Sequence, residues 1–189
     1  MIQSQSNQKV VHAVLSDSDG QVVQWHEVVN GQSSGFLTPN LHLDEYPLVT
    51  FFEPKSVKTT KFSSLNVLSE DHQRVFCNLD IQGAELLALR GFGRELNKVD
   101  YVYCEVNTRE LYENCSQINE LDEFLLDQGL VRVDLKMTRH GWGDALYVRS
   151  SVLPRFLRVR RSLRQLYGNY EIFVHLVQRL LTKVRGKIL

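Results

Sequence analysis

Residues 75–106 read VFCNLDIQGAELLALRGFGRELNKVDYVYCEV, and their order decides the fold. Residues 75–81, VFCNLDI, are a continuous apolar run broken late by Asp80, the pattern of a buried strand. From Gly83 to about Gly93 the chain reads as a helix, with Leu86, Leu87, Leu89 and then Leu96 on one side. Residues 99–106, VDYVYCEV, are a second apolar strand, closing on Glu105. Strand, helix, strand at this spacing is a βαβ unit. Such crossovers are right-handed and leave their strands close together. Asp80 and Glu105 are therefore expected at adjacent strand ends, facing one crevice. In open α/β sheets ligands bind outside the carboxyl ends of the strands.

Downstream, residues 117–128, QINELDEFLLDQ, form an amphipathic helix that turns Ile118, Leu121, Phe124 and Leu125 inward and stops at Gly129. Residues 130–137 alternate as a strand with one wet face, 138–143 are a loop, and 144–149 return as a strand. Upstream, residues 9–16 read as a strand ended by the turn cluster Asp17-Ser18-Asp19-Gly20. Residues 21–29 continue as a second strand, and Asn30-Gly31 is a turn signal. Residues 30–47 are loop-like, a length usually reserved for function or mobility. Residues 57–62 are a short polar strand near an edge, and 63–72 a short helix or loop. The succession predicts an α/β domain with a mostly parallel sheet and an antiparallel edge.

The composition is that of one globular domain, 43% apolar and 23% charged over 189 residues. Lys+Arg and Asp+Glu are both 22, which argues against a general nucleic-acid binder. The balance hides an asymmetry. Residues 151–189 hold nine basic residues against the single acid Glu171, a net of +8, so residues 1–150 carry −8. The chain thus divides into an acidic body, 1–150, and a basic tail, 151–189. In the tail, Phe156, Val159, Leu163, Leu166, Tyr170, Phe173, Val177, Leu180 and Val184 follow helical steps, with Gly168-Asn169 as a break. Two helices are expected there, packing on the body or on each other, or contacting a partner protein or an anionic membrane surface. No run of 18 apolar residues and no secretory h-region occurs, and three cysteines make neither a framework nor a CxxC pair. A reducing cytoplasmic compartment is the expectation.

Three acids carry the candidate chemistry. Asp80 ends an apolar strand and needs a partner or a ligand. Glu85 lies in the first turn of the following helix, where it either favours the positive helix end or joins the site. Glu105 repeats the Asp80 pattern one strand on, with an N-terminal cap or a structural salt bridge to Arg109 as the alternative. His140, Trp142 and Asp144 crowd the last loop, where they either line a site or build a turn. Cys77, in an apolar strand, reads as inert core. No HExxH, Walker loop or dinucleotide fingerprint is present, and no metal ligand set is assigned.

As ordered motifs, NLDIQGAELLALRGFG, VDYVYCEVNTRELYE, INELDEFLLDQG and GWGDALYVR resemble the FkbM family of S-adenosylmethionine-dependent methyltransferases. HAVLSDSDGQVVQWHEVVNGQSSGF is similar to that family's third strand, turn and Ser-rich loop, so the resemblance spans about residues 9–149. It implies an incomplete Rossmann-like class I sheet, S-adenosylmethionine as cofactor, and O-methylation of a sugar or small metabolite. It puts Asp80, Glu85 and Glu105 in the lining of the catalytic site, with Asp80 nearest the transferred methyl group, and Ala13, Ser16 and Asp17 at the adenine. The family's first strand, with its Asp-Ile-Gly-Ala-Asn type loop, and its acid-ended second strand have no counterpart here, and Gln82 stands where an acid is commoner. The chain reads as the C-terminal two thirds of such a domain. A truncated product, a half that pairs with another chain, and a non-catalytic remnant or partner subunit stay open as explanations.

Overall fold

The computed structural model describes residues 9–29, 33–68 and 74–153. The two helices expected in the tail lie outside the described residues. The described chain builds two small sheets. In the first, β1 (Val14–Leu15), β2 (Val22–Trp25) and β3 (Lys55–Thr60) run in the order β1-β3-β2, with β1 parallel and β2 antiparallel to β3. The Asp17–Gly20 turn joins β1 to β2, and Asp19 fixes it by accepting hydrogen bonds from the Lys61 N–H and the Ser64 hydroxyl, each at 2.8 Å. The strand expected over 9–16 shortens to two residues because only one neighbour pairs with it. Residues 30–47 are not all loop: α1 (Leu41–Glu45) forms within them.

The second sheet holds β4 (Phe76–Leu79), β5 (Tyr101–Asn107), β6 (Leu130–Met137) and β7 (Trp142–Arg149), in the order β4-β5-β7-β6. Between the strands run α2 (Glu85–Gly91) and α3 (Ile118–Asp127). The start of α3 is sealed by a reciprocal capping box between Gln117 and Glu120. The expectation of a mostly parallel sheet is corrected. Only β1/β3 and β4/β5 pair parallel; β2/β3, β5/β7 and β7/β6 are antiparallel. The cause is the last hairpin. β7 does not flank β6 on the outside but enters between β5 and β6, where Gly143, Ala145 and Tyr147 are buried on the helix side. The antiparallel strand is thus an inner one, and β6 takes the edge.

One face of this sheet carries the core. Leu79, Val102, Cys104, Val106, Ala145 and Tyr147 meet Leu86 and Leu89 of α2 and Leu121 and Leu125 of α3, all buried. Phe92 stacks on Phe62 with ring centroids 3.9 Å apart, joining the two sheets' connections. Gly91 is where α2 touches β1: a Cβ there would lie 2.1 Å from the Ser16 carbonyl oxygen. Arg149 closes the body, its guanidinium donating to the Val99, Gln128 and Leu96 carbonyls. The opposite face of the sheet is more open, with Phe76 60% and Tyr103 37% exposed. Among the described residues no helix is long and apolar enough to cross a membrane.

Candidate functional site

The turn from β4 into α2 is built by its own sequence. Gln82 and Gly83 adopt positive φ of 59° and 90°, and a Cβ at Gly83 would lie 2.7 Å from that of Cys115, so only glycine fits. Glu85 then folds back under the turn and accepts the N–H groups of Ile81 (3.0 Å) and Gly83 (3.3 Å) with one oxygen. Its other oxygen is buried without a hydrogen-bond partner. Burial pushes this carboxyl up to about 7, against the pull of those N–H groups. Glu85 is thus a structural acid beneath the site and does not line it.

Above the turn lies a cavity of about 700 Å³. Asp80, at the end of β4, and Glu105, on the adjacent parallel β5, both line it. Asp144 of β7, directly opposite Glu105 in the antiparallel ladder, is the third acid in its wall. Glu105 is pushed up to about 8, first by burial and then by the charges of Glu85 and Asp80. The Asn107 side chain is close enough to favour its charged form, although no hydrogen bond of ordinary geometry joins the two. Asp80 is exposed and accepts a hydrogen bond from the Gln82 amide nitrogen at 2.7 Å; the Gln82 amide oxygen in turn accepts from the Tyr112 hydroxyl. Arg109 pairs with Glu45, so the salt bridge to Glu105 that the sequence allowed as an alternative does not form.

The roof comes from the segment read as loop. α1 presents His42, buried between the rings of Tyr46 and Tyr112 at centroid distances of 5.0 and 5.2 Å. Burial lowers the His42 pKa, so the imidazole is neutral at pH 7. Glu45 clamps α1 to the body through Arg109 and through His140 at 2.7 Å, and both hold its carboxyl below the usual range. The Trp142 indole N–H donates to the Tyr46 hydroxyl at 2.9 Å. Of the last-loop residues, Trp142 and Asp144 line the cavity and His140 serves the clamp. Sequence reasoning missed His42, Tyr46, Tyr112, Ser33 and Ser34. The only signal was the i, i+4 spacing of His42 and Tyr46 after the Pro39-Asn40 breaker, too short a run to show a period. Cys77 is half-buried, and its thiol is pushed up to about 12 by burial, so it is unreactive.

A second cavity, about 540 Å³, is lined by Ser16 and Asp17 together with Val23, His26, Phe36 and Leu37. Ala13 is exposed and lines neither cavity. Gly35 packs between the two: a Cβ there would lie 3.3 Å from that of Gln82. The residues expected at the adenine and those expected at the methyl group thus do not share a cavity. Among the described residues no group of three or more His, Cys, Asp or Glu is arranged to hold a metal ion.

Residues 3–131 match the family described as the methyltransferase FkbM domain. Over 98 residues, 52% of this chain, the sequence is 31% identical to "2-O-methyltransferase NoeI" of Sinorhizobium fredii (strain NBRC 101917 / NGR234). The match spans 38% of that relative's length. No solved structure gives a significant match.

Proposed function

This chain belongs to the FkbM methyltransferase family, and we propose that it serves the O-methylation of a hydroxyl on a sugar or small metabolite, with S-adenosylmethionine as methyl donor. The observation that carries this reading is that Asp80, just past the end of β4, and Glu105, on the neighbouring parallel strand β5, line one cavity walled by Trp142, Tyr46 and Tyr112. Its volume of about 700 Å³ suits a small ligand, and aromatic walls with carboxylates suit a sugar ring. The relative's name, a 2-O-methyltransferase, supports a hydroxyl as the acceptor.

When bound, the donor supplies an activated methyl group. The residues on the acceptor side have distinct tasks. Asp80, exposed and oriented by Gln82, is the base that accepts the acceptor's hydroxyl proton. Glu105, raised to about 8, holds its proton at pH 7 and donates a hydrogen bond to a second acceptor oxygen. Glu85 keeps the turn, and hence Asp80, in place. The test is transfer of labelled methyl from S-adenosylmethionine to a panel of methyl glycosides. Asp80→Asn should lower the rate by roughly 10²–10⁴-fold, the usual worth of a positioned base. A variant as active as the parent sinks the assignment.

A second reading, a non-catalytic member or partner subunit, is favoured by the separation of the two cavities. Calorimetry of the chain with S-adenosylmethionine separates the readings. Micromolar binding supports the enzyme, and no binding at millimolar donor supports the partner.

A further inference from the structure

The first cavity has a charge imbalance that methyl transfer to a neutral hydroxyl leaves unused. Its three acids come from the end of β4, from β5 and from β7. Glu105 and Asp144 face each other across the ladder, where two ionised carboxylates would repel, and Glu105 keeps its proton at pH 7. Among the described residues, no Lys or Arg lines the cavity. The imidazole in its wall, His42, is held neutral by burial. The neighbouring cations do not enter: Arg109 is paired with Glu45, and Lys136, cross-strand from Asp144, is exposed and outside the lining. Tyr46, Tyr112 and Trp142 add aromatic surface, and the face of an aromatic ring attracts a cation.

We propose that this cavity takes an acceptor bearing a protonated amine beside the hydroxyl to be methylated, the chemical class being an amino sugar. The ionised acids accept hydrogen bonds from the ammonium group, whose positive charge offsets theirs. A phosphorylated or carboxylated acceptor meets only like charge there. The inference rests on the methyl-transfer reading for the word "acceptor"; recognition of the amine does not depend on catalysis.

The experiment is calorimetry of the full chain at pH 7 and 150 mM NaCl, with methyl glycosides of glucosamine, N-acetylglucosamine and glucose 6-phosphate, and with ethanolamine. The amino sugar should bind at least about tenfold more tightly than its N-acetyl counterpart, since hydrogen bonds to a charged group exceed neutral ones by about that factor. The phosphate should bind more weakly than either. Asp144→Asn, which is isosteric, should reduce the preference for the amine over the N-acetyl sugar; a thermal melt verifies that the variant folds. Equal affinity for amine and N-acetyl sugars, or a preference for the phosphate, overturns the proposal and leaves the methyl-transfer reading standing. Binding of ethanolamine without any sugar supports the cation site and counts against a sugar acceptor. Binding of none of the four overturns both. The donor's own sulfonium and ammonium are the competing source of positive charge. If S-methylmethionine binds more tightly than the amino sugar and displaces it, the cation site belongs to the donor and the acceptor assignment falls.

Discussion

Glu85 shows how one buried acid sets a pH dependence. Its native carboxyl, fully buried, holds a proton up to about pH 7, whereas an unfolded glutamate releases it in the ordinary carboxylate range. The folded state therefore binds more protons across that window, and stability falls as pH rises through it, then levels off above. For Glu85 the fall is roughly 3–4 kcal/mol at most, taking about 1.4 kcal/mol per pH unit over the rise from 4.5 to about 7. Glu105, raised to about 8, extends the decline in the same direction. Urea midpoints at pH 5 and pH 8 should differ, with the chain more stable at pH 5. Glu85→Gln should shrink that difference, and an unchanged slope would show that the buried acid is not its source. At this scale the sequence was informative about Asp80 and Glu105, because a carboxylate at the end of an apolar strand has few structural uses. It was ambiguous about Glu85, because a first-turn acid looks the same whether it faces a ligand or curls under its own turn. It was silent on His42, whose burial depends on Tyr112, some 70 residues away in sequence.

Elements carry two further expectations. α2 approaches β1 so closely that Gly91 has no room for a methyl group against the Ser16 carbonyl. Gly91→Ala should cost roughly 1–3 kcal/mol, as overpacking does, while Arg90→Ala on the exposed side of the same helix should stay within about 0.5 kcal/mol. Chemical denaturation of the pair measures the contrast; equal losses would refute close packing as the cause. The α1 clamp predicts the opposite balance. Glu45→Gln weakens two surface ion pairs, which add little to stability, so the melting temperature should move by no more than about 2–4 °C. Affinity for sugars should fall all the same, because α1 forms the roof of the cavity. A large loss of stability with intact binding would reverse this reading. The β4-α2-β5-α3 succession was legible in the sequence because each element has its own period and a clear stop. The place of β7 was not. A hairpin's two strands look alike from the sequence, and which of them enters the sheet depends on packing: Gly143, Ala145 and Tyr147 fit beneath the helices beside β5. α1 was missed because five residues are too few to display amphipathicity.

At the scale of the whole molecule, the −8 of residues 1–150 is balanced in sequence by the +8 of residues 151–189. The apolar seam in that segment motivates docking in cis, with each fully buried large side chain contributing roughly 1.5–3 kcal/mol. Arg149 and Ser150 already tie off the body, so a chain ending at residue 153 keeps those bonds. Removing residues 154–189 should lower the urea midpoint if the seam docks on the body. An unchanged midpoint with lost binding to anionic vesicles would assign the segment to a membrane surface instead. The inner position of β7 has a consequence for biosynthesis. The strand that completes the sheet is the last of the described strands to leave the ribosome. Until it arrives, β5 has one vacant side for the 42 residues that separate Asn107 from Arg149, and β6, once made, has no partner. At translation rates of roughly 5–20 residues per second that interval is about 2–8 s. During it the nascent chain exposes a half-built sheet to whatever other strands are nearby, so the window most open to misassembly is fixed by strand order.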